Sequence, residues 1–235
     1  MHISPLNLEV ERIYSQVVRN DYKTLAVVAT ESGEGVTSLA TAIAQRSLLA
    51  GKSTLIVDLN LYHPNLESQG ITPVVKSQRL LPSPELVGVI GEHTYCTGII
   101  APSKRGIIME LRRPDSLEGY LKEWHKEYDL VIFDTSPISR MNANNIPPER
   151  VAAAADGTIF IVMAGQTTEA MVSESVKRLN DAGAHLLGCV LNDKKNHSLK
   201  IALLLEIDKL QKYLPKIARM LRHKILSSHL LSLEI

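Results

Sequence analysis

Residues 25–41 read LAVVATESGEGVTSLAT: an apolar run, a glycine-rich turn and the start of a helical pattern. That order describes a loop able to cradle phosphates. Backbone N–H groups of the turn and of the helix N-terminus converge on an anion, a hydroxyl holds Mg2+, and a lysine reaches the terminal phosphates. Gly33, Glu34, Gly35, Val36, Thr37 and Ser38 are the candidate nucleotide-binding residues, with Thr37 as the metal hydroxyl. The lysine position, however, holds Val36. A charge-assisted hydrogen bond contributes about 1.5–3 kcal/mol, so affinity for a nucleotide should fall by about one to two decades. Removing one preorganised donor to developing charge costs about 100- to 1000-fold in turnover. The sequence therefore predicts weak or absent binding of ATP/ADP with Mg2+, and very slow or absent hydrolysis.

Two further apolar runs end in aspartate: TLIVDL at 54–59 supplies Asp58, and LVIFD at 130–134 supplies Asp134. A strand ending this way puts its carboxylate at the edge of an α/β sheet where ligands bind, and such a carboxylate holds Mg2+ directly or through water. Asp58 and Asp134 are the candidate catalytic carboxylates and, with Thr37, the candidate Mg2+ ligands. Either aspartate alone could simply close a strand-to-loop turn; their joint occurrence after a glycine-rich loop favours a site. The Asp58 strand is expected next to the phosphate-loop strand. Lys23, Arg105, Arg140 or a partner's arginine could bring a cation to the phosphates, but spacing singles out none of them, and all read equally as surface charge. His63, His93, His125 and His185 lack metal-ligand spacing. Ser38 and Ser136 lack a histidine and carboxylate arranged to activate them. Trp124 reads as a packing residue.

The elements that must position these residues follow from hydrophobic patterning. Apolar runs at 25–30, 54–59, 130–134, 158–163 and 186–191 suit strands buried on both faces. Helical patterns at 37–50, 115–127 and 167–182 alternate with them, two ending at Gly51 and Gly183 where a C-cap belongs. Strand alternating with helix predicts an α/β fold with a doubly wound, mostly parallel sheet. Pro64–Pro114, with turns such as LPSPEL and APSKRG, reads as loops with short elements over the nucleotide. The 235 residues suit one large domain, 1–197, followed by a helical tail at 198–235. A break is expected near Pro215, and Lys209, Lys212, Lys216, Arg219, Arg222 and Lys224 meet no acidic residue within 209–226. The formal net charge of +1 gives no global field for nucleic acid. Cys96 and Cys189 are expected as reduced core residues. No leader-like start or membrane-length apolar run is evident, which leads to the expectation of a cytoplasmic protein.

The ordered segments TESGEGVTSLATAIAQ, GKSTLIVDLNLYHPNL, YDLVIFDTSPI, AADGTIFIVMAGQTT and GAHLLGCVLND resemble the cytoplasmic domain of the bacterial tyrosine kinases (BY-kinases) of capsule and exopolysaccharide synthesis. The similarity spans about residues 9–195, and those kinases lie within the deviant-Walker P-loop ATPases. The resemblance implies phosphate and magnesium positions at Gly33, Gly35 and Thr37, metal carboxylates at Asp58 and Asp134, and an adenine contact at Asn192. It also implies a P-loop NTPase-like fold, a membrane chain-length or export protein as partner, self-association, and an N-terminal helix whose Glu9 and Arg12 fit a subunit-contact pattern. Three departures concern chemistry: Val36 for lysine, Asn60 for a second aspartate, and KILSSHLLSLEI without a tyrosine cluster. Together they imply a degenerate, pseudokinase-like accessory protein, peripheral to the membrane's inner face through its partner, with direct contact by the basic tail a further expectation. An active ATPase or tyrosine kinase with a displaced cation, a partition-type positioning ATPase and a nucleotide-free scaffold are the alternatives.

Overall fold

The computed structural model describes residues 3–70, 81–90, 95–194, 207–208 and 215–227. They divide into two compact units, Met1–Val162 with Gln166–Asn192, and Met163–Gly165 with Asp193–Ile235. The first is built on an eight-stranded sheet: β1 (Thr24–Ala29), β2 (Thr54–Leu59), β3 (Leu66–Ser68), β4 (Glu85–Val89), β5 (Tyr95–Ile99), β6 (Leu130–Thr135), β7 (Gly157–Met163) and β8 (Leu186–Asn192), in the order β3-β4-β5-β2-β6-β1-β7-β8. β5, β2, β6, β1 and β7 run parallel, whereas β4 is antiparallel to both β5 and β3. The parallel strands β1, β2 and β6 are buried along their whole length, which is why they read as unbroken apolar runs.

Side-chain alternation across the sheet makes two apolar layers. Leu25, Val27, Ile56 and Ile132 pack on one face with residues of α1 (Leu8–Arg19) and α2 (Val36–Leu49). Ala26, Val28, Val57 and Phe133 pack on the other with α3 (Arg105–Leu111), α4 (Ser116–Trp124), α5 (Pro148–Ala153) and α6 (Glu169–Asp181). Trp124 is buried there against Tyr120 and Phe133. The start of α1 is fixed by Asn7, whose side chain accepts the Glu9 N–H at 2.8 Å. Its buried stripe is Val10, Tyr14 and Val17. Glu11, rather than Glu9, forms the tie to the neighbouring helix: it pairs through both oxygens with Arg46 of α2, whose guanidinium also lies 4.7 Å from the Tyr14 ring centre.

Several expectations change. β6 lies between β2 and β1, so the Asp58 strand is not the neighbour of the phosphate-loop strand. Pro64–Pro114 does contribute short elements, β3, β4, β5 and α3, but the three strands extend the central sheet. Cys96 is buried, and burial pushes its thiol up to about 12, but Cys189 is exposed on β8. In the second unit, α7 (Pro215–Ser227) begins at the proline expected to interrupt a helix, a position where the missing N–H costs nothing. Arg222 is not an unpaired tail charge: it bonds Asp208 Oδ1 at 2.5 Å. Lys209, Lys212 and His93 fall outside the described residues, as does the side chain of Lys216.

Candidate functional site

The carboxyl end of β1 turns through Thr30–Gly35 into α2, so the glycine-rich segment occupies the strand-to-helix turn that its sequence requires. Gly33 and Gly35 have φ of +83° and +111°. At Gly35 any Cβ would also lie 3.0 Å from Asn192 Nδ2, so both conformation and close approach demand glycine. Glu34 turns inward and is 2% exposed. Its carboxylate accepts the Glu31 N–H at 3.0 Å and the Thr167 hydroxyl, while its carbonyl accepts Asn192 Nδ2 at 2.7 Å. Glu34 and Asn192 thus brace the loop. Val36 packs into the apolar layer between α2 and the sheet.

The parallel register sets Asp58 directly opposite Asp134, both fully buried. Asp58 Oδ1 accepts the Asn60 N–H at 2.8 Å, and Oδ2 faces the N–H groups of Asn65 and Leu66 at 3.3 and 3.4 Å. Burial outweighs these donors and raises its carboxyl to about 6. Among the described residues, neither oxygen of Asp134 accepts a well-formed hydrogen bond. Burial first, and the Asp58 charge second, push its carboxyl well above the usual range, with the Thr37 hydroxyl moderating the shift. A buried carboxylate without donors is costly in isolation; beside a second carboxylate and a hydroxyl it fits a hard divalent cation.

Thr37 Oγ1 accepts Asn65 Nδ2 at 3.0 Å, and the same amide bonds the His63 carbonyl at 3.0 Å. Asn65 therefore couples the start of α2 to the loop after β2, a role that sequence reasoning missed because no motif spacing connects the two positions. Asn60 Oδ1 accepts the His63 N–H at 3.1 Å and so serves the turn. The loop after β6 joins this corner through the Ser136 hydroxyl, which accepts the Leu61 N–H at 3.1 Å. Ser38, in the first turn of α2, is half-buried. The structure thus gathers Gly33–Ser38, Asp58, Asp134 and Asn192 at one edge of the sheet, with Asn192 held against the loop backbone.

A strand, a glycine turn with left-handed residues, a helix and two facing acids on parallel strands define a P-loop NTPase-like fold. No family profile matches the chain. Tyrosine-protein kinase YwqD of Bacillus subtilis is 24% identical over 186 residues, covering 76% of this chain and 75% of that protein. Among solved structures, the chimerical protein CapA2B2 superposes with a TM-score of 0.60 at 19% identity, covering 80% and 85% of the two chains. Cobyrinic acid a,c-diamide synthase from Mycobacterium smegmatis, solved with an ATP analog and magnesium, gives 0.50 at 19% identity, covering 72% of each chain. In sequence and in fold the chain is thus similar to the bacterial tyrosine kinases, over about three quarters of its length.

Proposed function

We propose that this chain is a degenerate BY-kinase homologue that binds nucleotide weakly and acts as a regulatory component of capsule or exopolysaccharide biosynthesis and export. The observation that carries this reading is the contrast within one site. Val36 is packed into the apolar layer where a phosphate-directed lysine would begin, while Thr37, Asp58 and the buried Asp134 stay together. Those three residues would hold Mg2+, which when bound offsets phosphate charge. Gly33–Ser38 would cradle the phosphates, and Asn192 would lie beside the base. Asn60 has a neutral oxygen already engaged by His63, so it cannot act as a base.

In this reading the protein works by conformation. Nucleotide orders the P-loop, the start of α2 and the loop after β2, and biases docking through its different affinity for the two states. The partner is the cytoplasmic part of a membrane chain-length or export protein, with self-association as a second mode and peripheral placement at the membrane's inner face. No helix among the described residues is long and apolar enough to cross a membrane.

Calorimetric titration with ATP and ADP in Mg2+, following hydrolysis on the same samples, tests the proposal. The wild type should bind weakly without turnover, Val36→Lys should tighten ATP binding by about 10- to 100-fold, and Asp134→Ala should remove the Mg2+ dependence. Wild-type turnover abolished by Asp134→Ala would replace this reading with that of an active enzyme.

A further inference from the structure

We infer that Arg140 supplies, from the loop after β6, the phosphate-directed charge that position 36 has lost, and that Glu31 holds this guanidinium while no nucleotide is bound. The inference rests on the nucleotide reading above and names the group that makes binding survive. Arg140 Nε lies 3.6 Å from Glu31 Oε2, and Glu31 stands at the mouth of the P-loop one residue after Thr30. Its guanidinium carbon is 5.9 Å from the ring centre of Tyr62, in the loop that follows Asp58. One cation thus touches both loops that flank the acid pair and is carried by the third.

The alternatives fail on position. Lys23 precedes β1, at the opposite end of that six-residue strand from the P-loop, about 20 Å away. Arg105 is exposed at the start of α3 and follows β5, three strand positions from β1, about 14 Å across the sheet.

The Arg140 turn is anchored. Ser139 donates its N–H to the Thr30 carbonyl at 3.0 Å. Arg178 holds the Ile138 carbonyl at 3.2 Å, and Asn145 Nδ2 holds the Arg140 carbonyl at 2.8 Å. The backbone is fixed while the side chain remains half exposed and able to re-aim. A planar guanidinium with paired donors suits phosphate oxygens. The carboxylate it now faces forms a solvent-exposed pair of small net value, so a polyphosphate of higher charge displaces it. Binding is restored by this exchange; turnover is not, because Asn60 stays neutral and engaged.

The test is titration of full-length wild type, Arg140→Ala, Arg140→Lys, Glu31→Gln, Val36→Lys and Val36→Lys/Arg140→Ala with Mg-ATP and Mg-ADP, with thermal melts confirming folding. Arg140→Ala should weaken ATP by about 10- to 100-fold and ADP by less. Arg140→Lys should keep part of the affinity, Glu31→Gln should tighten ATP by roughly two- to fivefold, and the double variant should bind more tightly than Arg140→Ala. ATP affinity within twofold of wild type in Arg140→Ala, or weakening in Glu31→Gln, overturns the assignment while leaving the nucleotide reading intact. Binding seen only with Val36→Lys also overturns it. Absence of binding in every protein, Val36→Lys included, overturns the nucleotide reading itself.

Discussion

Asp134→Asn should stabilise the nucleotide-free protein at neutral pH, although it alters the most deeply set acid of the site. A carboxyl whose folded pKa lies above its unfolded value binds more protons in the native state between those two values, so stability falls as pH rises through that window. Asp58 shows the effect: burial raises it from 3.8 to about 6, which corresponds to about 3 kcal/mol present below pH 4 and lost above pH 6. Asp134 shifts in the same direction, by burial and by the Asp58 charge, so its contribution has the same sign. For Asp58 alone, 3 kcal/mol in a chain of this length is roughly 6–12 °C in melting temperature; for Asp134→Asn the prediction is the sign of the change and its pH dependence. Melts of wild type and Asp134→Asn from pH 4 to 8, with and without Mg2+, check this. The variant should match wild type near pH 4, melt higher at pH 8, and gain nothing from Mg2+, whereas Mg2+ should raise the wild type at pH 8. The exposed carboxylates Glu11 and Asp129, whose pKa values are lowered by Arg46 and by Ser53, contribute the opposite trend at low pH, but equally in both proteins, so they cancel in the difference. A variant that melts lower than wild type at pH 8 would refute the reasoning.

Two other substitutions probe the geometry of the loop. Gly35→Ala adds a side chain at φ +111° and crowds Asn192 Nδ2; it should cost about 1–3 kcal/mol in a chemical melt and loosen the loop enough to abolish detectable ATP binding. Asn65→Ala removes the amide that joins Thr37 to the His63 carbonyl; a loss of about 1 kcal/mol and a higher Mg2+ requirement are expected, read by melts and by metal titration.

Much of the sheet was legible because strands buried on both faces admit only apolar residues, as LAVVAT and LVIFD do. β3 to β5 were not, because they are short, antiparallel and interspersed with prolines and polar residues, and their pairing joins positions far apart in the chain. Periodicity carries no information on strand order, so the insertion of β6 between β2 and β1, which sets Asp58 against Asp134, had to come from the structure. The acids and the glycine turn were legible as residue types at strand ends. Asn65 and Arg140 were not distinguished, since an amide in a turn and an arginine in a loop acquire meaning only from what they face. Cys189 misled for a related reason: its apolar neighbours in sequence lie on a strand at the rim of the sheet.

Although β3 stands last in the hydrogen-bonding order, its first residue, Leu66, returns to Asp58 through its N–H. The carboxylate that would meet a cation therefore also faces the backbone of one of the sheet's two edge strands. An edge strand presents unpaired backbone groups to any chain that can extend the sheet. A proton or a divalent ion taken up at Asp58 would compete for the oxygen that the Leu66 N–H faces, giving a buried ionisation event an address on the protein's exterior.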